Sequence, residues 1–242
     1  MSPAHVPLLD AGLPAGVRGG FTTRSGAGGR GPFAGLNLGD HVGDDPARVA
    51  AHRAALRATV GAEALVVPVQ VHGADVVEVD DVPSSGPPRA DALLTRRRGL
   101  ALAVVVADCV PVLLADPGAG VVAVAHAGRA GLVAGVVPAV VAAMRSAGAR
   151  DVRAALGPAV CGGCYEVPEQ VADDVTRVVP AARATTRRGT PAVDVAAGVL
   201  AQLSAAGVRA SGPGPCTVER ADLFSYRREG VTGRSAGVVV LA

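Results

Sequence analysis

The sequence predicts an α+β layered sandwich, built as one domain over residues 1–242, and three observations carry that expectation. Short valine-rich apolar runs of strand length follow one another between residues 65 and 125, separated by turn residues. Segments of helical length come mostly after those runs, without the strand-by-strand alternation of a Rossmann fold or a barrel. Half of the 242 residues are hydrophobic, with no linker-like shift in composition and no self-similar period, so one sizeable core is expected.

Taken in order, Gly19 to Thr23 reads as a strand, and Arg24 to Gly35 as a glycine-rich loop without a Walker pattern. Asp45-Pro46 followed by Ala47 to Val60 and Gly61 predicts a helix with Asp at the N-cap, Pro at N1 and Gly at C′. Strands are expected at Leu65 to Val71, Val76 to Val79, Ala92 to Thr95, Leu100 to Val106, Val112 to Ala115 and Val121 to Ala125. Gly131 to Met144 has helical length, with Pro138 forcing a kink or a restart. Helices at Pro168 to Val178 and Asp194 to Ala206, and strands at Val152 to Leu156 and Gly237 to Leu241, complete the pattern.

Composition excludes several function classes. The net charge is +2, with 23 basic and 21 acidic residues interleaved, so the broad electrostatic attraction that nucleic-acid binding needs is missing. Every basic residue is arginine, which removes any Schiff-base or phosphate-binding lysine. With three Phe, two Tyr and no Trp, a stacking surface for single strands is not expected either. The apolar stretch Leu100 to Ala115 is broken by Asp108 and Pro111, and Gly131 to Met144 falls short of the roughly 20 residues a bilayer requires. No membrane partner is expected, and Met1 to Leu13 lacks the basic flank and apolar run of a secretory signal, so the expected location is cytoplasmic. The four cysteines are then thiols or metal ligands before they are a disulfide framework.

His72, Cys109 and His126 each sit where a predicted strand stops and the backbone turns. Strand ends on one sheet edge point into a shared crevice, so the three can converge. Two imidazoles and a thiolate are the protein ligand set of a catalytic zinc that keeps one position open. Two other readings stand beside it. Cys109 can be a nucleophile with His126 as its base, using free N–H groups at the Gly128 to Leu132 helix start. A His₂Cys copper centre is the third, although only Met1 and Met144 are available as an axial ligand and five histidines are too few for a multicopper oxidase. Ordinary packing of a buried thiol and two satisfied histidines is the bland reading. Cys161-Gly-Gly-Cys164 has redox or half-zinc spacing. With no second such pair and Cys216 isolated, it reads as a turn carrying two thiols, a structural metal on Cys161, Cys164 and Cys216 being the alternative.

Nine motifs in order resemble the YfiH family, also called the polyphenol-oxidase or laccase-domain family, which includes the peptidoglycan editing factor. They are Gly-Phe-Thr-Thr-Arg (20–24), Leu-Asn-Leu-Gly (36–39), Gln-Val-His-Gly-Ala-Asp (70–75), Ala-Asp-Ala-Leu-Leu-Thr (90–95), Ala-Asp-Cys-Val-Pro (107–111), His-Ala-Gly (126–128), Leu-Gly-Pro-Ala (156–159), Cys-Tyr-Glu-Val (164–167) and Leu-Phe-Ser-Tyr-Arg-Arg (223–228). The likeness runs from Gly20 to Leu241. It implies an α/β/β/α sandwich related to cysteine deamidase toxins, with zinc on His72, Cys109 and His126. It also implies phosphorolysis of purine nucleosides (adenosine, inosine, guanosine, methylthioadenosine), with adenosine deamination in some members. Other members are described as copper laccases or as hydrolases that edit a peptidoglycan precursor. One departure is visible: Arg129-Ala130-Gly131 stands where the family usually has Trp-Arg-Gly, which on a helix turns the guanidinium by about 100°.

Within that resemblance, the expected catalytic residues are Cys109, His126, His72 and Asp108, the last as proton shuttle or ligand-orienting group. A phosphate and a nucleoside are the expected small-molecule partners. Phosphate needs cationic groups, for which Arg24, Arg129 and Arg227 or Arg228 are the candidates. Asn37 is the candidate for the ribose hydroxyls, Glu166 for a supporting role, and glycines 26, 28, 29 and 31 for a loop that closes. Phe33, Tyr165, Phe224 and Tyr226 are the aromatics available to a purine.

Overall fold

Valine and alanine alternate along the central strands so that both faces are apolar, and strands of that kind must be covered on both sides. The computed structural model, which describes residues 6–26 and 28–242, covers them with each other and with helices. Met1–His5, part of the stretch weighed as a secretory signal, and Ala27 of the glycine-rich loop lie outside the described residues.

A five-stranded sheet has the order β1 (Leu8–Leu9), β2 (Val17–Thr22), β13 (Ser235–Leu241), β6 (Leu100–Val106), β3 (Ala64–Val66). Only the β3–β6 pair is parallel. A six-stranded sheet has the order β12 (Arg209–Ser211), β9 (Arg153–Leu156), β7 (Val110–Asp116), β8 (Val121–Ala127), β5 (Ala92–Thr95), β4 (Val76–Glu78), with parallel pairs at its two edges. A separate hairpin pairs β10 (Arg183–Thr185) with β11 (Pro191–Val193).

The layers follow from side-chain alternation. Leu100, Leu102 and Val104 of β6 meet Leu113, Ala115, Val122 and Val124 of the other sheet in one core. Ala101, Ala103 and Val105 face the opposite way, onto Leu56 and Val60 of helix α1 (Pro46–Thr59) and its end. On the far side, Val112, Leu114, Ala123 and Ala125 carry α2 (Arg129–Ala134), α3 (Val136–Ser146), α4 (Glu169–Val178) and α5 (Val195–Ala205). The order helix, sheet, sheet, helices is the α/β/β/α sandwich. Small alanines on the helix-facing side of β8 allow α3 to lie close against it.

Asp45 caps α1 by accepting from the Ala47 N–H, and Asp194 caps α5 through Ala197, as the sequence signals require. Two expectations change. The strand expected at Leu65 to Val71 ends at Val66, because Pro68 cannot donate to a ladder; Val69 makes a lone bridge to Arg89. The helix expected at Gly131 to Met144 is two helices, broken at Gly135 (φ 86°), with Pro138 accommodated in the first turn of α3. Among the described residues no helix is long and apolar enough to cross a membrane.

Candidate active site

The chain crosses from one sheet to the other between β6 and β7, using only Ala107, Asp108 and Cys109. So short a crossing needs a sharp turn, and Asp108 makes it at φ 93°. His72 (φ 61°) is the other non-glycine residue with positive φ among the described residues. Both flank the same cluster, and such backbone strain, about 1–3 kcal/mol each, persists where surroundings over-determine it.

Cys109, His72 and His126 converge, with one donor atom of each within 4.8 Å of the others. His72 Nε2 lies 3.9 Å from Cys109 Sγ, and the two imidazoles meet edge to face at 4.7 Å. His126 is the second-last residue of β8 and is buried, while His72 is exposed. His72 is not at a strand end as expected; it rides on the loop between β3 and β4. Gln70 ties that loop to β6, donating to Val105 O and accepting from Val105 N.

Asp91 organises the rest. Fully buried at the start of β5, it accepts from the backbone N–H groups of Val71, His72 and Gly73 and from His126 Nδ1, the last at 2.8 Å. Burial pushes its carboxyl up, but the His126 and Gly73 bonds outweigh that and hold it below the usual value. With Nδ1 committed, Nε2 is the His126 nitrogen left for the cluster. Sequence reasoning gave Asp91 no role; an acidic residue directly before the apolar run Ala92-Leu93-Leu94 was the available signal.

Burial alone would raise the Cys109 thiol, yet His126 and His72 bring it down to about 6. His126 moves the other way: burial lowers it, and the Cys109 and Asp91 charges raise it to about 9. Each group favours the charged form of the other, which activates the sulfur as nucleophile or as ligand. Gly128 makes this close approach possible. A Cβ there would lie 2.9 Å from His72 Cδ2 and 3.0 Å from Cys109 Sγ.

The other expected site residues divide. Asp108 accepts from Thr217 Oγ1 and from the Arg227 backbone N–H, each at 2.6 Å, so its carboxylate is held against the C-terminal segment. Arg227 lies over the Tyr165 ring at 4.9 Å. Arg129 is the exposed first residue of α2, directly after Gly128. Arg24 pairs with Glu229 at 2.7 Å and covers the Phe224 ring, so its charge is already partnered. Asn37 is fully buried: it donates to Gly39 O and Asp44 and accepts from the Gly39 and Arg234 N–H groups. Its amide has nothing left for a ribose, which corrects that expectation. Glu166 pairs with Arg188 at the surface. Phe224 is buried, whereas Tyr226 is 61% exposed.

Arg234 was not anticipated from sequence. It is half-buried, burial lowers its pKa, and the charges of Cys109, Asp108 and Tyr226 act on it in the opposite sense. A cation therefore stands beside the cluster. A concavity of about 530 Å³ between α1, β3 and the Val82–Pro87 loop contains none of these residues. In the cluster itself only His72 is exposed, with Cys109 partly buried and His126 buried.

Residues 18–242 match the family model described as multi-copper polyphenol oxidoreductase laccase. A purine nucleoside phosphorylase of Streptomyces coelicolor is 56% identical over 232 residues, covering 93% of this chain and 96% of that one. An adenosine deaminase from an unknown prokaryotic organism is 36% identical over 244 residues, covering 91% and 92%. Among solved structures, YlmD from Geobacillus stearothermophilus superposes with a TM-score of 0.86 at 34% identity, covering 99% of each chain. The Bacillus licheniformis protein YfiH gives 0.84 at 31% identity, covering 93% of each.

Proposed function

Because the chain belongs to the multi-copper polyphenol oxidoreductase laccase family, to which the YfiH proteins are its structural neighbours, and is an enzyme, we propose that it is a zinc-dependent purine nucleoside phosphorylase with adenosine deaminase activity. The observation that carries this is the cluster of His72, Cys109 and His126 oriented by Asp91.

The donor set fits a zinc ion. Ligands about 2.0–2.3 Å from a tetrahedral ion stand roughly 3.5 Å apart, near the 3.9 Å between His72 Nε2 and Cys109 Sγ. Cys109 is poised as a thiolate, and one imidazole is already oriented by a carboxylate, as zinc histidines are. Copper is disfavoured by the same residues: Met144 is buried in the helical layer, and two histidines cannot hold a multicopper centre. When bound, zinc supplies Lewis-acid polarisation and lowers the pKa of a bound water.

The chain's own groups do the rest. Arg234, Arg129 and Arg227 are the cations available to a phosphate at this site, where preorganised charge lowers the barrier to glycosidic cleavage. Tyr226 offers an exposed ring for the purine, one residue from the N–H that Asp108 accepts. Asp108 orients this segment and is the carboxylate proposed to carry the proton in deamination.

The test is incubation of metal-analysed protein with adenosine, with and without phosphate, with Cys109→Ala alongside. Phosphate-dependent adenine release, inosine formation and loss of both in the variant are expected. Zinc-loaded protein that yields neither product would overturn the reading.

A further inference from the structure

Away from the candidate active site, the structure gathers the remaining three cysteines, which the sequence left as a two-thiol turn and an isolated residue. Donor atoms of Cys161, Cys164, Cys216 and Glu219 all lie within 4.8 Å of one another. We propose that these four residues form a second metal site, a structural zinc that staples the 161–164 turn to the 216–219 turn.

The spacing supports it once the carboxylate is counted. Cys161-Gly-Gly-Cys164 and Cys216-Thr-Val-Glu219 are both ligand-x-x-ligand segments, and each is a closed turn: Cys164 N donates to Cys161 O at 2.9 Å, and Glu219 N to Cys216 O at 3.3 Å. A parallel bridge between Ala159 and Cys216 and a Thr217 N–H bond to Ala159 O at 3.0 Å set the turns face to face. Two such turns presented to each other are the architecture of a four-coordinate structural site.

A backbone donor is already aimed at sulfur: the Cys161 N–H points at Cys216 Sγ at 3.4 Å. Such N–H to sulfur bonds stabilise thiolates and hold them in place for a cation. Without a cation the Cys164 thiol donates to Glu219 Oε1 at 3.4 Å, a proton position that a divalent ion between the two would take over. Three thiolates and a carboxylate around a divalent ion carry excess negative charge. Arg187, paired with Glu219 and 3.5 Å from Cys164 Sγ, answers part of it.

Ligand chemistry selects the ion: soft sulfur donors with one oxygen favour zinc and reject magnesium or calcium. Loading exchanges thiol protons for the ion, with no change of oxidation state. The three thiols are partly exposed, so the ion has a path in. The consequence reaches the other site. Thr217, inside the second turn, holds the Asp108 carboxylate, and Val160, just before the first turn, donates to the Asp108 carbonyl at 2.9 Å. The staple thus fixes the strained residue beside Cys109 from two sides.

Zinc per chain, measured by elemental analysis on reduced protein from zinc-supplemented medium, separates this site from the first. His72→Ala/Cys109→Ala protein should keep one zinc, and Cys161→Ser/Cys216→Ser should contain one zinc fewer than the unaltered chain. Cobalt loaded into the His72→Ala/Cys109→Ala protein should show intense sulfur-to-cobalt charge transfer and tetrahedral d–d bands. Glu219→Gln, which preserves the fold's shape, should lose at least tenfold in zinc affinity against a chelator. Unchanged zinc content in Cys161→Ser/Cys216→Ser would overturn the proposal. So would a Cys161–Cys164 disulfide, seen by mass after alkylation, in protein purified with zinc and without reductant. Failure of the first site alone would instead leave one zinc in the unaltered chain, removable only by the Cys161 and Cys216 changes.

Discussion

Asp91 shows how one side chain can set both halves of a site. Three backbone N–H groups of the His72 loop and the His126 ring converge on its two oxygens. An asparagine would turn an NH₂ toward those donors and remove the charge opposite His126. Asp91→Asn is therefore expected to weaken binding of the proposed zinc by about 10–100-fold and to cost roughly 2–4 kcal/mol of stability. Chelator competition and urea melts read the two separately; unchanged zinc affinity would remove Asp91 from the site. Tyr226→Ala, by contrast, leaves the core untouched because the ring is exposed. Its expected signature is a several-fold higher KM for nucleoside at unchanged melting temperature. His72, Cys109 and His126 were legible in the sequence, whereas Asp91 and Arg234 were not. Their importance lies in partners distant along the chain, and Asn37 was misjudged for the same reason.

At the level of elements, local signals set strand and helix positions well where burial was two-sided or capped. Leu100–Val106 and Ala92–Thr95 are strands to the residue, and Asp45 and Asp194 start their helices. The edge strands β1, β10, β11 and β12 escaped notice because two or three residues carry no periodicity. Asp116, at the end of β7, ties that strand to the turn before β9, accepting from Ala119, Arg150 and Asp151 N–H groups at 3.1, 2.7 and 2.8 Å. Burial raises its carboxyl, the N–H bonds outweigh this, and the pKa is lowered. A depressed folded-state value means that Asp116 stabilises fully above its unfolded pKa of about 3.9 and loses that contribution as pH falls through the folded value. Asp116→Asn should cost about 2 kcal/mol at pH 7. Its deficit relative to the unaltered chain should shrink in urea titrations run below about pH 4. A deficit independent of pH would mean that packing, not charge, is what the substitution disturbs.

Across the whole molecule, the order of layers was within reach of the sequence, but which strands share a sheet was not. Nothing local says that β13 lies between β2 and β6, or that Ala107–Cys109 changes sheets. Phe21 is the one aromatic in the core between the sheets, seated where Gly157 and Gly237 leave room; a Cβ at Gly157 would lie 2.3 Å from its ring. Phe21→Ala should cost about 3–5 kcal/mol by opening a cavity that valine and alanine neighbours cannot refill. The urea midpoint checks this, and a loss under about 1 kcal/mol would show that the sheets close over the gap. The position of β13 has a consequence for synthesis. The ribosome makes Ser235–Leu241 after every other described strand, yet those residues join β2 to β6. Until they emerge, β2 and β6 each lack one neighbour, and their unpaired backbone edges are an invitation to wrong partners.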